Sequence, residues 1–270
     1  MTTGARSPLT AGSATTVGAP PGVAAVTVDL DDTLYPQAAF LAAAWARVGQ
    51  AAAAEGLVAA ELEAALAQCA AQGSDRGTII DRALLLVGVA PERLRLFVPS
   101  LVEAFNDVRP DRLDCYPGVV DGLRRLRSRV PLACITDGTP SVQQAKIHAL
   151  GLADAFDVVV ISDAIGGRHL RKPHPAPFHA ALARLGCGAG ATVHVGDRPT
   201  KDVEGTRRVG MRCVRVLTGE YAADAAVAGR EPWLTVSGFA AAVEALEPLL
   251  PQHRREDLVP RWEEPGPSAR

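Results

Sequence analysis

The run 23–28, Val-Ala-Ala-Val-Thr-Val, leads straight into Asp29-Leu30-Asp31-Asp32-Thr33-Leu34. An apolar, β-branched run of this kind reads as a central parallel strand covered on both faces. Charge at its end is expensive unless a metal or a reaction uses it. In open α/β sheets the reactive groups gather at the carboxyl ends of strands. Asp29 and Asp31 therefore stand where a site is expected. The competing reading is an acidic loop or a helix N-cap.

The rest of the chain supplies the sheet that such a strand needs. Past residue 116, strands and helices alternate. The pattern predicts a helix over 117–129 opened by Pro117, a strand over 131–135, and a helix over 140–150 closed by Gly151. A strand over 157–161, a helix over 176–185, a strand over 192–195, a helix over 200–209 and a strand over 212–217 follow. This is the signature of an α/β fold, a Rossmann-like parallel sheet with helices on both faces. Between 36 and 113, Ala, Leu and Glu dominate and the apolar period lengthens to that of a helix. Helices are expected over 40–54, 59–71 and 78–88, with at least one more in 91–108. Alone this block reads as a small bundle; inserted after the first strand, it reads as a cap. The expected organisation is a disordered lead-in at 1–22, a core made of 23–35 and 114–247, a helical cap at 36–113, and a flexible Pro-, Glu- and Arg-rich tail at 248–270.

With 270 residues, 48% of them hydrophobic, the chain can bury one sizeable core and a smaller subdomain. A net charge of -2, with no block of like charge, argues against nucleic-acid and membrane partners. No apolar run approaches the ~20 residues of a membrane span. The first residues lack the apolar centre of a signal peptide. Cys69, Cys115, Cys134, Cys187 and Cys213 show no metal-ligand spacing. They read as small core residues of a cytoplasmic protein. His194, inside an apolar strand, reads as a satisfied core residue, and His174 is assigned no chemistry.

Further motifs fall at the later strand ends. The strand over 131–135 runs into Thr136-Asp137-Gly138. Lys172 follows in Arg171-Lys172-Pro173-His174-Pro175. The strand over 192–195 runs into Gly196-Asp197-Arg198-Pro199-Thr200-Lys201-Asp202. Taken as residues alone, Thr136 is equally a turn cap, Lys172 a solvated loop lysine, and Asp197 and Asp202 helix N-caps. In this order the motifs resemble the haloacid dehalogenase superfamily, in its phosphatase-like branch with a helical cap after the first core strand. The resemblance runs from about residue 23 to about residue 246. It implies that Asp29 is a nucleophile forming an aspartyl-phosphate and that Asp31 is the general acid and base. It implies a Mg2+ site drawn from Asp29, Asp31, Asp197 and Asp202, with Asp31 contributing its backbone carbonyl and Asp202 holding the metal shell. Thr136 would donate to a phosphate oxygen and Lys172 would pair with both the phosphate and Asp29. The backbone N–H groups of Leu30, Asp137 and Gly138 would add donors. Asp32 reads as a loop-orienting residue.

An acid at position 31 favours a phosphate ester, since a departing halide needs no proton. The expected protein is a Mg2+-dependent phosphomonoesterase acting on a small phosphorylated metabolite: a sugar phosphate, a nucleotide or a phosphoglycolate-like compound. It is expected as a monomer or homodimer. The alternatives left open are a phosphomutase like β-phosphoglucomutase, a haloacid dehalogenase, and a non-catalytic binding protein on the same fold. Substrate choice is assigned to the cap, with Gln37, Phe40, Trp45, Arg82 and Arg76 as candidates. Arg76 sits in an inter-helix loop, where a solvated arginine is the equal competitor. Asp137 stands where Asn is more usual and His174 where Asp is frequent, departures that bear on substrate rather than on the catalytic core.

Overall fold

A computed structural model describes residues 22–74, 76–253 and 255. The expected lead-in at 1–21 and the end of the tail lie outside the described residues.

The run after Gly22 forms β1 (Ala25–Val28), buried along its whole length. A helical block follows: α1 (Gln37–Ala54), α2 (Ala59–Ala70), α3 (Ile79–Leu86) and α4 (Leu94–Asn106). The chain then alternates through α5 (Val119–Arg127), β2 (Leu132–Thr136), α6 (Pro140–Ala149), β3 (Val158–Ile161), α7 (Ser162–Gly166) and α8 (Ala176–Leu185). It ends with β4 (Thr192–Gly196), α9 (Glu204–Val209), β5 (Arg212–Val216), β6 (Leu234–Val236) and α10 (Phe239–Leu246). The sheet has the order β3-β2-β1-β4-β5-β6. Every pairing is parallel. In register, Val28 of β1 lies beside Cys134 of β2 and Val195 of β4. The ends of these three central strands therefore open side by side, bringing Asp29, Thr136 and Asp197 to one edge.

The two faces of the sheet differ in chemistry. One is wholly apolar: Val26, Val28, Leu132, Cys134, Val193 and Val195 pack with α5, α6 and α10 in one cluster. On the other, α8 covers Ala133, Ile135 and Val160, but β1 and β4 place Thr27 and His194 side by side. The helical block has an apolar core of its own, including Val48, Leu62, Leu66, Leu84 and Leu101. The start of α1 belongs elsewhere, because Phe40 and Ala44 are buried in the main core.

Some boundaries differ from expectation, each for a local reason. α5 starts at Val119, two residues after Pro117, because Gly118 sits at φ 79 and breaks the helical path. The chain before α9 makes a wide π turn over Pro199–Val203, with both Asp202 and Val203 N–H donating to the Arg198 carbonyl. Before Lys172 the chain coils into α7 and a short 3-10 turn, Arg168–Leu170, elements that the strand–helix alternation does not predict. The tail was expected to be loose from residue 248. Instead its start docks: Val23 N–H donates to Leu249 O, Arg255 N–H donates to Ser128 O, and Leu250 is buried.

Candidate active site

The first corner of the site is organised around Lys172. Its Nζ lies 2.5 Å from Asp29 Oδ1 and 2.6 Å from Asp202 Oδ1, and only 1–8% of these three side chains is exposed. The π turn brings Asp202 back under the loop, where its Oδ2 accepts the Arg198 N–H at 3.0 Å. Gly196 makes this possible, since a Cβ there would overlap the Asp202 carboxyl carbon. His194 Nε2 is 3.1 Å from Asp202 Oδ1 and its Nδ1 is 2.8 Å from Thr27 Oγ1. Burial keeps His194 neutral by holding its pKa below the usual value. Nε2–H then donates to Asp202, and Nδ1 accepts from the threonine. Both ring nitrogens of His194 are thus satisfied, as expected of a core histidine.

Carboxylate oxygens of Asp29, Asp197 and Asp202 can be chosen that all lie within 4.8 Å of one another. Their fates diverge. Burial alone would raise Asp202, but Lys172 and then His194 outweigh it and hold the carboxyl well below the usual carboxylate range. Burial pushes Asp29 up to about 7, against the pull of Lys172 and with added repulsion from Asp202 and Asp31. Asp197 is raised well above its ordinary value by burial and by the charges of Asp202 and Asp29. Both of its oxygens are buried without a hydrogen-bond partner, and the Arg198 Nε is 3.7 Å away. A buried carboxylate in this state is costly. The donor set is all hard oxygen, which fits an oxygen-preferring cation such as Mg2+ or Ca2+. The Asp31 carboxylate does not join this cluster, so any part Asp31 takes in it falls to the backbone carbonyl.

Asp31 turns to a second corner. Lys146 Nζ sits 2.8 Å and 3.0 Å from its two oxygens. The Tyr35 hydroxyl donates to Oδ1 at 2.5 Å. Burial opposes ionisation of Asp31, yet Lys146 and then Tyr35 outweigh it and lower its pKa. Burial, reinforced by Asp31, raises Tyr35 well above its usual value, so the phenol keeps its proton and donates. Asp32 has φ 58, and its carboxylate accepts the N–H groups of Gln37 at 2.9 Å and Glu220 at 3.2 Å. It orients the loop and faces neither corner.

Between the corners lie the loop residues assigned to phosphate. Thr136 Oγ1 is buried with no partner, a donor left over for a ligand. The Asp137 carboxylate accepts the Lys172 N–H at 3.0 Å and lies 3.4 Å from Lys201 Nζ, bracing the lysine loop. Gly138 is at φ 138, and a Cβ there would fall 2.5 Å from Gln143 Nε2. Leu30 buries its side chain in the main core between the two acids.

Asp29, Asp31, Asp137, Gly138, Lys146 and Lys172 floor a cavity of about 440 Å³ whose far wall is the helical block: Leu41, Trp45, Ile79, Val102 and Phe105. Gln37 also lines it. Arg76 does not. Its exposed side chain lies against Gly73, and the same loop lines the cavity through Ser74, Gly77 and Thr78 instead. Arg82 is tied inside the block by its bond to the Cys69 carbonyl at 2.5 Å. Phe40 lies in the main core. The sequence reading missed Arg198, whose Nη2 donates to Gln37 Oε1 at 3.2 Å and to Ser74 Oγ at 3.3 Å. It joins the Asp197 loop to the helical block. Lys146 was missed as well. The available signal was a lysine on the stripe of α6 that also carries Val142 and Gln143.

Residues 23–210 match the haloacid dehalogenase-like hydrolase family, and the chain belongs to it. It is 35% identical over 210 residues to the glyceraldehyde 3-phosphate phosphatase of Methanopyrus kandleri, covering 74% of this chain and 86% of that one. It is 30% identical over 239 residues to the phosphoglycolate phosphatase of Pectobacterium atrosepticum, covering 86% and 95%. Among solved structures it resembles the 2-haloacid dehalogenase of Pseudomonas syringae, with a TM-score of 0.58, 26% identity, and 84% and 99% covered. The protein is a hydrolase of the phosphatase type within this family. No helix among the described residues is long and apolar enough to cross a membrane.

Proposed function

We propose that the protein is a Mg2+-dependent phosphomonoesterase of the cytoplasm, acting on a small phosphorylated metabolite through an aspartyl-phosphate on Asp29. The observation that carries this reading is the buried carboxylate of Asp197, which has no hydrogen-bond partner and converges with Asp202 on Asp29, a residue of the cavity floor. Asp29, Asp197 and Asp202 would hold the ion. When bound, Mg2+ supplies positive charge against the phosphate and orients it for in-line attack.

The protein groups account for the rest. An Asp29 oxygen forms the new bond to phosphorus as the ester P–O bond breaks. Asp31 gives the leaving oxygen a proton, and in the second half it takes one from the attacking water. Lys172 offsets the repulsion between the nucleophile and the phosphate. Thr136 donates its hydroxyl to a phosphate oxygen, with the backbone N–H groups of Leu30, Asp137 and Gly138 around it. The helical block, residues 36–113, acts as the cap: it walls the cavity and limits water. Trp45 and Gln37 there face the non-reacting part of the substrate. Relatives named for glyceraldehyde 3-phosphate, phosphoglycolate and phosphoserine support a compact phosphorylated metabolite as the substrate.

The test is release of inorganic phosphate from a panel of triose and sugar phosphates, phosphoglycolate, phosphoserine and nucleotides, with Mg2+ and then with EDTA. Full activity after exhaustive chelation would sink the metal assignment. Isomerisation of a sugar phosphate without net phosphate release would mean a phosphomutase, and halide release from a 2-haloacid a dehalogenase.

A further inference from the structure

Lys146 reaches the site from α6, apart from Lys172. It is 3% exposed, and both Asp31 oxygens lie within 3.0 Å of its Nζ. The ammonium sits over the Phe40 ring, 4.4 Å from its centroid. Gln143, one turn earlier on the same helix, approaches Asp31 Oδ2 at 3.4 Å and is itself fixed by donating to the Asp137 carbonyl at 2.6 Å. Tyr35, from the loop of Asp31 itself, completes the shell at Oδ1.

We infer that Lys146 is a positioning residue for the acid–base carboxylate of Asp31, an assignment that rests on the phosphatase reading above. The argument is one of geometry. Asp31 hangs from a loop, and its two side-chain torsions are free unless something holds them. Lys146 spans both oxygens, while Tyr35 and Gln143 take one each, so the carboxyl plane is fixed from two elements at once. Removing the lysine would leave the carboxylate without its main partner and free to turn out of line with the ester. Lysine suits the task better than arginine. Its rotatable point charge keeps contact with one oxygen while the other turns to the ester, where a rigid fork would hold both. The Phe40 ring steadies the ammonium from below. Because Lys146 acts through Asp31, its loss bears on proton transfer and spares phosphate binding.

The experiment compares Lys146→Met with wild type in the full chain with Mg2+. It measures kcat and KM on p-nitrophenyl phosphate, whose leaving group needs little protonation. The second substrate is whichever of glycerol 3-phosphate, phosphoglycolate and phosphoserine wild type turns over fastest. The expected result is a kcat loss of about 10²-fold on the alkyl ester, against less than about 5-fold on p-nitrophenyl phosphate, with KM nearly unmoved. In an Asp31→Asn background, Lys146→Met should add almost nothing, since the two residues act as one unit. Equal losses on both esters, or full additivity in the double variant, would overturn the assignment while leaving the phosphatase reading intact. A wild type that releases no phosphate from any ester overturns both. Should Lys146→Met not fold, Tyr35→Phe removes a single hydroxyl from the same carboxylate. It should show the same alkyl-selective loss on a smaller scale, and equal losses there count against the positioning shell.

Discussion

Two buried lysines stand at the end of this sheet, and they serve their carboxylates differently. Lys172 is shared between Asp29 and Asp202, with Asp197 near enough to complete a group of three acids. Lys172 and the more distant Arg198, 3.7 Å from Asp197, face three acids, so acid is left over and the corner is short of positive charge. Lys146 meets a single carboxylate, Asp31, and a phenol helps it. That corner is balanced. The first arrangement is open to a cation; the second is complete and holds the Asp31 carboxylate still. A buried charge matched by its partners stabilises structure, and a mismatched one marks where a ligand belongs.

The largest expected effect breaks the first corner at its reactive atom. Asp29→Asn should lower turnover by at least about 10⁴-fold while the far-ultraviolet circular dichroism stays that of wild type. Residual turnover within ten-fold of wild type would place the nucleophile elsewhere.

Next come two changes of opposite sign in stability. Lys172→Met leaves Asp29 and Asp202 buried without their cation, at a cost of about 3–5 kcal/mol. Asp197→Asn removes a charge that has no hydrogen-bond partner, and should raise the melting temperature in EDTA while abolishing the stabilisation that Mg2+ gives wild type. Both variants should lose phosphate release. If Asp197→Asn melted lower than wild type in EDTA, the corner would be balanced after all.

The same contrast predicts a pH dependence for the metal-free protein. Asp29 is raised to about 7, so the folded state holds its proton more tightly than the unfolded chain does. That contribution is full below about 4, the unfolded value, and is lost as pH rises toward 7. Asp197 acts in the same direction. Asp31 is lowered, so its contribution is present above about 4 and fades as pH falls through its folded value. His194, held below its usual value, opposes this over the same window, but the two acids outweigh it, so melting in EDTA should worsen from pH 5 to pH 7, and Asp29→Asn should flatten that slope. Lys146→Met, acting on the other corner, should leave it in place.

How much of this was legible depends on what each residue owes to its neighbours in the chain. The sheet was readable because β1, β2 and β4 are short apolar runs ending in polar residues. Their parallel packing follows from the helices between them. Asp29, Thr136 and Asp197 were readable because each lies at or beside a strand end, and Lys172 because it stands in the run 171–175. Lys146 and Arg198 were not, since their roles come from partners 115 and 161 residues away. The stripe that Lys146 shares with Val142 and Gln143 hints that it is buried, but no local pattern says which carboxylate such a lysine meets. β6 was missed because three half-exposed residues carry no readable period. Arg76 shows the converse. Its loop does reach the cavity, but the backbone at Gly77 and Thr78 turns the neighbouring residues inward and leaves the arginine outside.

Thr136 tests the first corner more gently. Its hydroxyl is buried without a partner, so Thr136→Val replaces it by a methyl of nearly the same shape at almost no cost in stability. Loss of one donor to the phosphate should still lower kcat/KM by about 10–10²-fold. A large drop in melting temperature without a loss of activity would show the hydroxyl to be structural.

The smallest expected effect concerns the seam between cap and core. Arg198 lies beside Asp197 in the acid-rich corner and also donates to Gln37 and Ser74. The Ser74 N–H in turn donates to Glu220 at 2.9 Å. A loop of the cap is thereby fastened to the corner that holds the acids, whereas Asp31 and Lys146 make no such contact with Ser74. Ser74→Ala removes two long, part-buried hydrogen bonds of the hydroxyl, one given to Gln37 and one accepted from Arg198, together worth about 0.5–1.5 kcal/mol, and leaves the backbone bond to Glu220. The fastening matters only if the cap closes over bound substrate. KM for the physiological ester should then rise about three- to ten-fold, in line with that energy, while kcat and the melting temperature stay close to wild type. p-Nitrophenyl phosphate, which engages the cap less, should be nearly indifferent. A fall in kcat on both esters without a change in KM would mean that Ser74 acts on the acid-rich corner itself, through Arg198, and that the seam belongs to the chemistry rather than to the lid.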